Sequence, residues 1–125
     1  MTKTRTITLT GRAPVKIAED AWPVIAWATG DSWSGNDHAR HDQAAAQGEL
    51  DECSIRVRQH ADGRAIVYAV LDASTAWTHN ESYKGGVLLD AGDDIAAAIR
   101  AVGEECGIPD AVIRACIADL PPVEL

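Results

Sequence analysis

His38-x-x-His41 sits between Asp37 and Asp42, and these are residue types that bind metal. A divalent ion needs three or four ligands held rigidly, and histidine and aspartate can supply them. The spacing alone does not place both imidazoles on one face. The other two histidines, His60 and His79, are far away in the chain. The segment therefore reads first as a solvated loop, with His38 and His41 as weak metal candidates. A small metal-dependent or hydrolytic enzyme using residues 37–42 is the alternative to a binding protein.

Other catalytic patterns are absent. Gly30-Asp31-Ser32-Trp33-Ser34-Gly35 is not the strand-to-helix serine elbow of hydrolases. No phosphate-cradling glycine loop or dinucleotide fingerprint occurs. Cys53, Cys106 and Cys116 are an odd number without a Cys-x-x-Cys pair. They read as buried thiols, not as a disulfide framework or a zinc knuckle. The chain weighs against an enzyme. No catalytic residue and no cofactor is expected.

Charge is the next chemical signal. Arg56 and Arg58, with Arg64 across a turn, form a candidate anion-binding strip for a phosphate or an acidic partner. Aromatic residues are not interleaved with them as nucleic-acid readers require, so direct nucleic-acid binding is not expected. The simpler reading has these arginines facing solvent and balancing acids from the helices or a neighbouring strand. Net charge is −8. Its seat is the C-terminal half, where residues 65–125 hold ten acids against Lys84, Arg100 and Arg114. Such a field repels nucleic acid and anionic membrane and attracts basic protein surfaces. Asp93, Asp94, Glu104 and Glu105 are the acidic candidates for partner binding. Four tryptophans accompany no phenylalanine. Trp22 and Trp27 are expected to fill the core, whereas Trp33 and Trp77 lie in polar connections where aromatics act as binding anchors.

These residues must be positioned by a fold that 125 residues can build as one domain, spanning 1–125. Apolar residues make up 46% and charged residues 24%, as in ordinary globular chains. No apolar run approaches the length of a membrane span or a signal peptide, so a soluble, cytoplasmic protein is expected. TRTITLT at 4–10 alternates with period two and reads as a strand, resumed at 15–17 after Gly11 and Pro14. Pro23 favours a strand over 23–29, with a short helix at 19–22 before it. Residues 34–52 are polar and read as a long loop, or as a loop with one helical turn. Cys53, Ile55 and Val57 alternate with Ser54, Arg56 and Arg58, the 60–63 segment HADG turns the chain, and the apolar run 65–71 suits a strand covered on both faces. A further strand is expected over 83–89, bent at Gly85-Gly86.

The C-terminus is helical by period. Asp93 or Asp94 can cap a first helix with the stripe Ile95, Ile99, Val102 and Cys106. Gly107 ends it and Pro109 opens a second, with Val112, Ile113, Cys116, Ile117 and Leu120 as its stripe. The expected fold is α+β: an antiparallel sheet of three to five strands followed by two C-terminal helices packed on one face. An exposed sheet edge could pair with a second copy, making a homodimer a candidate assembly.

EDAWPVIAWA at 19–28 and SIRVRQHADGRAIVYAVLDASTAW at 54–77 resemble segments of small accessory proteins encoded on proteobacterial plasmids, integrative elements and phages. The resemblance covers about a third of the chain. It implies a mobile-element context and carries over no catalytic residue. By analogy with small acidic proteins of such elements, it implies an inhibitor of a host defence complex, anti-CRISPR-like, whose partner is a larger protein or nucleoprotein assembly with a basic surface.

Overall fold

The computed structural model describes residues 3–31, 50–74 and 79–122; for residues 31, 50–52, 71–74 and 79–82 the description is of the backbone alone. The architecture is α+β in three layers: a hairpin, a four-stranded antiparallel sheet and a pair of helices. Among the described residues no helix is long and apolar enough to cross a membrane.

The hairpin pairs β1 (Thr4–Ile7) with β2 (Val15–Ala18). The second strand runs back along the first and does not continue it as the sequence suggested. The chain leaves the ladder after Ile7 and turns through Gly11, whose φ of +70° suits glycine. Leu9 stays buried outside the ladder. Residues 19–22 form a hydrogen-bonded turn, with the Trp22 N–H reaching the Ala18 carbonyl at 3.2 Å, and not a helix.

The sheet is a simple meander in the order β3 (Val24–Asp31), β4 (Leu50–Gln59), β5 (Ala65–Ser74) and β6 (His79–Leu89). Strand β3 starts directly after Pro23, where a missing N–H does no harm to an edge. Residues 65–70 are all buried, because β5 is a central strand covered on both faces. Val67 and Ala69 meet the helices; Ile66, Tyr68 and Val70 meet the hairpin. The register slips between Ala69 and Val70 opposite the Gly85-Gly86 bend. A Cβ on Gly86 would lie 2.6 Å from the Val67 carbonyl oxygen, so that close approach requires glycine.

Three strand ends run further than their residue types suggest. β4 begins at Leu50, inside the segment read as a loop. β5 continues to Ser74 and β6 begins at His79. These extensions hold acids and small polar residues, which are depleted in strands.

Helix α1 (Ile95–Glu105) is capped by Asp94, whose Oδ1 accepts the Ala97 N–H at 3.1 Å. Helix α2 (Asp110–Ala118) follows Gly107 and Pro109 as expected. The helices touch through Gly103, where a Cβ would meet Ile113 at 2.4 Å. Ile99, Val102, Val112, Ile113 and Cys116 join Cys53, Ile55 and Val57 in the core on this side.

Candidate functional site

The helical layer carries the acidic field. Between residues 90 and 120 stand Asp90, Asp93, Asp94, Glu104, Glu105, Asp110 and Asp119, against Arg100 and Arg114 alone. The four acids singled out from sequence are not one cluster. Asp93 and Asp94 precede α1 and Glu104 and Glu105 end it, roughly 16 Å apart along the axis. Asp93 Oδ2 accepts the Asp90 N–H at 2.8 Å and Asp94 caps the helix, so both also have local structural duties. Arg100 lies 3.7 Å from Glu104 and 3.1 Å from Asp110, and Arg114 lies 2.8 Å from Asp110. These ion pairs are exposed and each is worth under about 1 kcal/mol. Of the three, the Arg100–Asp110 pair links the two helices, and the surface stays net negative.

Beside Asp93 and Asp94 a groove of about 470 Å³ runs over Ile25 and Gln59 to Leu120 and Pro121. Its floor is apolar and its lip acidic. A neighbouring groove of about 600 Å³ shares Ile25 and Gln59 and adds Asp20, Pro23 and His60.

The opposite face of the sheet holds guanidiniums, and they do three different things. Arg58 is only 7% exposed. Its Nε donates to the Tyr68 hydroxyl at 2.9 Å and its Nη1 to the Trp22 carbonyl at 3.0 Å. The expectation that it faces solvent and balances helical acids is overturned. The helices pack on the other face, and the loop at Trp22 closes over this one. Arg64 lies back on its own turn, 2.8 Å from Asp62 and 5.2 Å above the Trp22 ring. Arg56 is half-buried opposite Trp27 in the register. The three therefore do not form one continuous basic strip.

Close by, Arg5 Nε meets Glu19 at 2.7 Å while Arg5 Nη1 donates to the Tyr83 hydroxyl at 2.8 Å. The Arg5–Glu19 hydrogen bond holds the Glu19 carboxyl below its ordinary range and raises Arg5 above its own. Two guanidiniums, two phenols and one carboxylate thus link the hairpin to the sheet.

Trp22 is buried in the core as expected, its ring tilted against that of His60 with centroids 5.0 Å apart. Trp27 is not: it is 53% exposed. It lies on the edge strand, on the face away from the helices, while the hairpin engages the far edge through Thr10 and Gly86. Together with Val24, Arg56 and Arg58 it lines a groove of about 270 Å³. An exposed tryptophan beside arginines has the residue types of an interface anchor. The sequence carries no signal for this, because the pairing of Trp27 with Arg56, which puts it on the face opposite Ile55 and Val57, is a property of the strand register.

Both edges of the sheet are partly closed. Asp119 Oδ2 accepts the Trp27 N–H at 3.0 Å, and Thr10 exchanges hydrogen bonds with Gly86. These devices blunt edge-to-edge pairing at the two positions.

Cys106 and Cys116 are poorly suited to nucleophilic chemistry. None of the three cysteines is in a disulfide. Burial, with a smaller push from Asp119, raises Cys116 to about 11, and burial with Glu105 raises Cys106. A thiol with a raised pKa supplies little thiolate at neutral pH. Among the residues whose side chains are described, no three His, Cys, Asp or Glu groups converge as metal ligands. His38, His41, Trp33 and Trp77 lie outside the described residues. No protein-family model matches the chain, and no curated protein and no solved structure matches it.

Proposed function

We propose that the protein is a non-catalytic binding protein that lays its acidic helical layer against a basic, nucleic-acid-binding surface of a larger host complex and so inhibits it, in the manner of an anti-CRISPR protein. The carrying observation is the segregation of charge: seven carboxylates against two guanidiniums in the stretch that forms α1 and α2. Such a field accelerates encounter with a basic partner and fixes orientation more than it adds affinity. The groove beside Asp93 and Asp94 offers apolar contact area within that field.

The test is an affinity pull-down of the tagged protein from a proteobacterial lysate expressing CRISPR complexes, at low and high salt. The expected result is a stoichiometric protein partner that is lost at high salt. Glu104→Lys with Glu105→Lys avoids both helix caps and should weaken capture and flatten its salt dependence. Capture that is indifferent to this charge reversal would remove the helical layer from the interface.

A further inference from the structure

We propose that the groove between β3 and β4, on the side of the sheet away from the helices, binds a small organic carboxylate, with Arg58 as its anchor and Trp27 and Val24 as its walls. Val24 stands opposite Arg58 and Trp27 opposite Arg56 in the register. Directly opposed residues share a face. The four side chains line an open groove of about 270 Å³. The site is independent of the acidic helical layer invoked for partner binding.

Arg58 is a buried charge without a counter-ion. None of the ion pairs among the described residues includes it. Its Nε and Nη1 donate to neutral oxygens, those of the Tyr68 hydroxyl and the Trp22 carbonyl. Glu19 lies within its field, but Arg5 already holds that carboxylate at 2.7 Å. Buried charges are ordinarily paired, because desolvating a lone one is costly. A guanidinium also has more donors than these two bonds use. Nη2 takes part in neither bond. Among the described residues only Ser54 Oγ is both fully buried and without a partner, so Nη2 stays accessible. Arg58 therefore presents an unused donor edge to the groove it lines.

The walls indicate what the anion carries. Val24 and Trp27 are the exposed large hydrophobic side chains among the described residues, and both line this groove. An indole offers its face to a flat apolar body. The volume falls just below the roughly 300–1,000 Å³ of sites for drug-sized ligands, which suits a small acid. Charge selects the head group. Arg56 has interactions of its own, so the anchor is Arg58 and a single positive charge is to be matched. A carboxylate carries one negative charge, and its two oxygens fit the planar donor edge of a guanidinium. A phosphate dianion leaves one charge uncompensated beside apolar walls.

The test is titration of the ¹⁵N-labelled full chain with sodium benzoate at constant ionic strength, read by amide and indole N–H shifts. Benzamide serves as the uncharged analogue and inorganic phosphate as the rival anion. Benzoate should saturably shift the Trp27 indole and the amides of Trp27, Arg56 and Arg58. Benzamide and phosphate should each bind at least about tenfold more weakly, the worth of one charge-assisted hydrogen bond. Trp27→Ser, at an exposed position, should weaken benzoate about fivefold through the lost ring contact. Arg58→Gln should abolish the preference for benzoate over benzamide; should it fail to fold, Val24→Ser repeats the wall measurement and the comparison of the two probes on the parent chain still tests the charge. Equal affinity for benzoate and benzamide would overturn the site. So would the absence of a saturable shift, shifts centred on Arg100 and Arg114, or unchanged affinity in Trp27→Ser. Phosphate binding as tight as benzoate would overturn the carboxylate assignment.

Discussion

The two faces of the sheet are built on opposite plans. Toward the helices, β4 and β5 present Cys53, Ile55, Val57, Val67 and Ala69 to an aliphatic layer. The polar groups of α1 and α2 stay outside. Toward the hairpin, the sheet buries Arg58 and Tyr68 beside Ile7, Leu9, Ile17 and Trp22. The charges divide in the same way. The helical stretch is strongly acidic, while residues 3–23 hold Lys3, Arg5, Arg12 and Lys16 against Glu19 and Asp20. One face derives stability from packing and keeps its charge for the surface. The other spends apolar area on a polar network that fixes how the hairpin sits. A buried guanidinium is weak evidence of stability, since desolvation opposes it. Its use here is to orient the Trp22 loop and Tyr68 over the sheet.

That contrast can be broken from the helix side first. Ile99→Ala removes a fully buried side chain from a close-packed layer and should cost about 2–5 kcal/mol in denaturant unfolding. On the hairpin side, Tyr68→Phe keeps the ring and removes an acceptor from Arg58. It should cost about 1–3 kcal/mol, because a buried charged donor loses its partner. A Tyr68→Phe loss as large as that of Ile99→Ala would show that the polar network, and not aliphatic packing, dominates both faces. Smaller still, Trp27→Ser should change stability by no more than about 0.5 kcal/mol, as expected for a surface position. A larger loss would mean that the 270 Å³ groove belongs to the core.

What the sequence disclosed follows the same division. The helix-side core was legible because its periods are clean: Ile95, Ile99 and Val102 on α1, and alternation over 53–57 on β4. Asp94, Gly107 and Pro109 marked the helix ends through their own chemistry. The hairpin side was obscure, because Arg58 and Trp27 each break the usual relation between residue type and burial. An arginine on an alternating strand reads as solvent-facing until a loop distant in sequence covers it. A tryptophan reads as core unless its strand is known to be an edge. The ends of β4, β5 and β6 were missed for a related reason. Leu50–Glu52, Asp72–Ser74 and His79–Ser82 contain the acids and small polar residues that strand propensity rejects.

The finest probe of the comparison is acid. The Arg5–Glu19 contact joins β1 to the turn that follows β2 through partly exposed side chains. Its hydrogen bond lowers the Glu19 carboxyl in the folded chain. Its contribution is therefore fully present above the ordinary glutamate range and is lost as pH falls through the lowered value. Glu19→Gln should lower Tm slightly at neutral pH, and the difference from the parent should vanish at low pH. The helix side offers the control. Arg114→Gln acts on an exposed helical pair and should move Tm little at any pH, because such pairs are heavily screened. A Glu19→Gln effect that persisted unchanged into acid would locate the hairpin's stability in packing at Ile7 and Ile17, and the two faces would then be held by the same force.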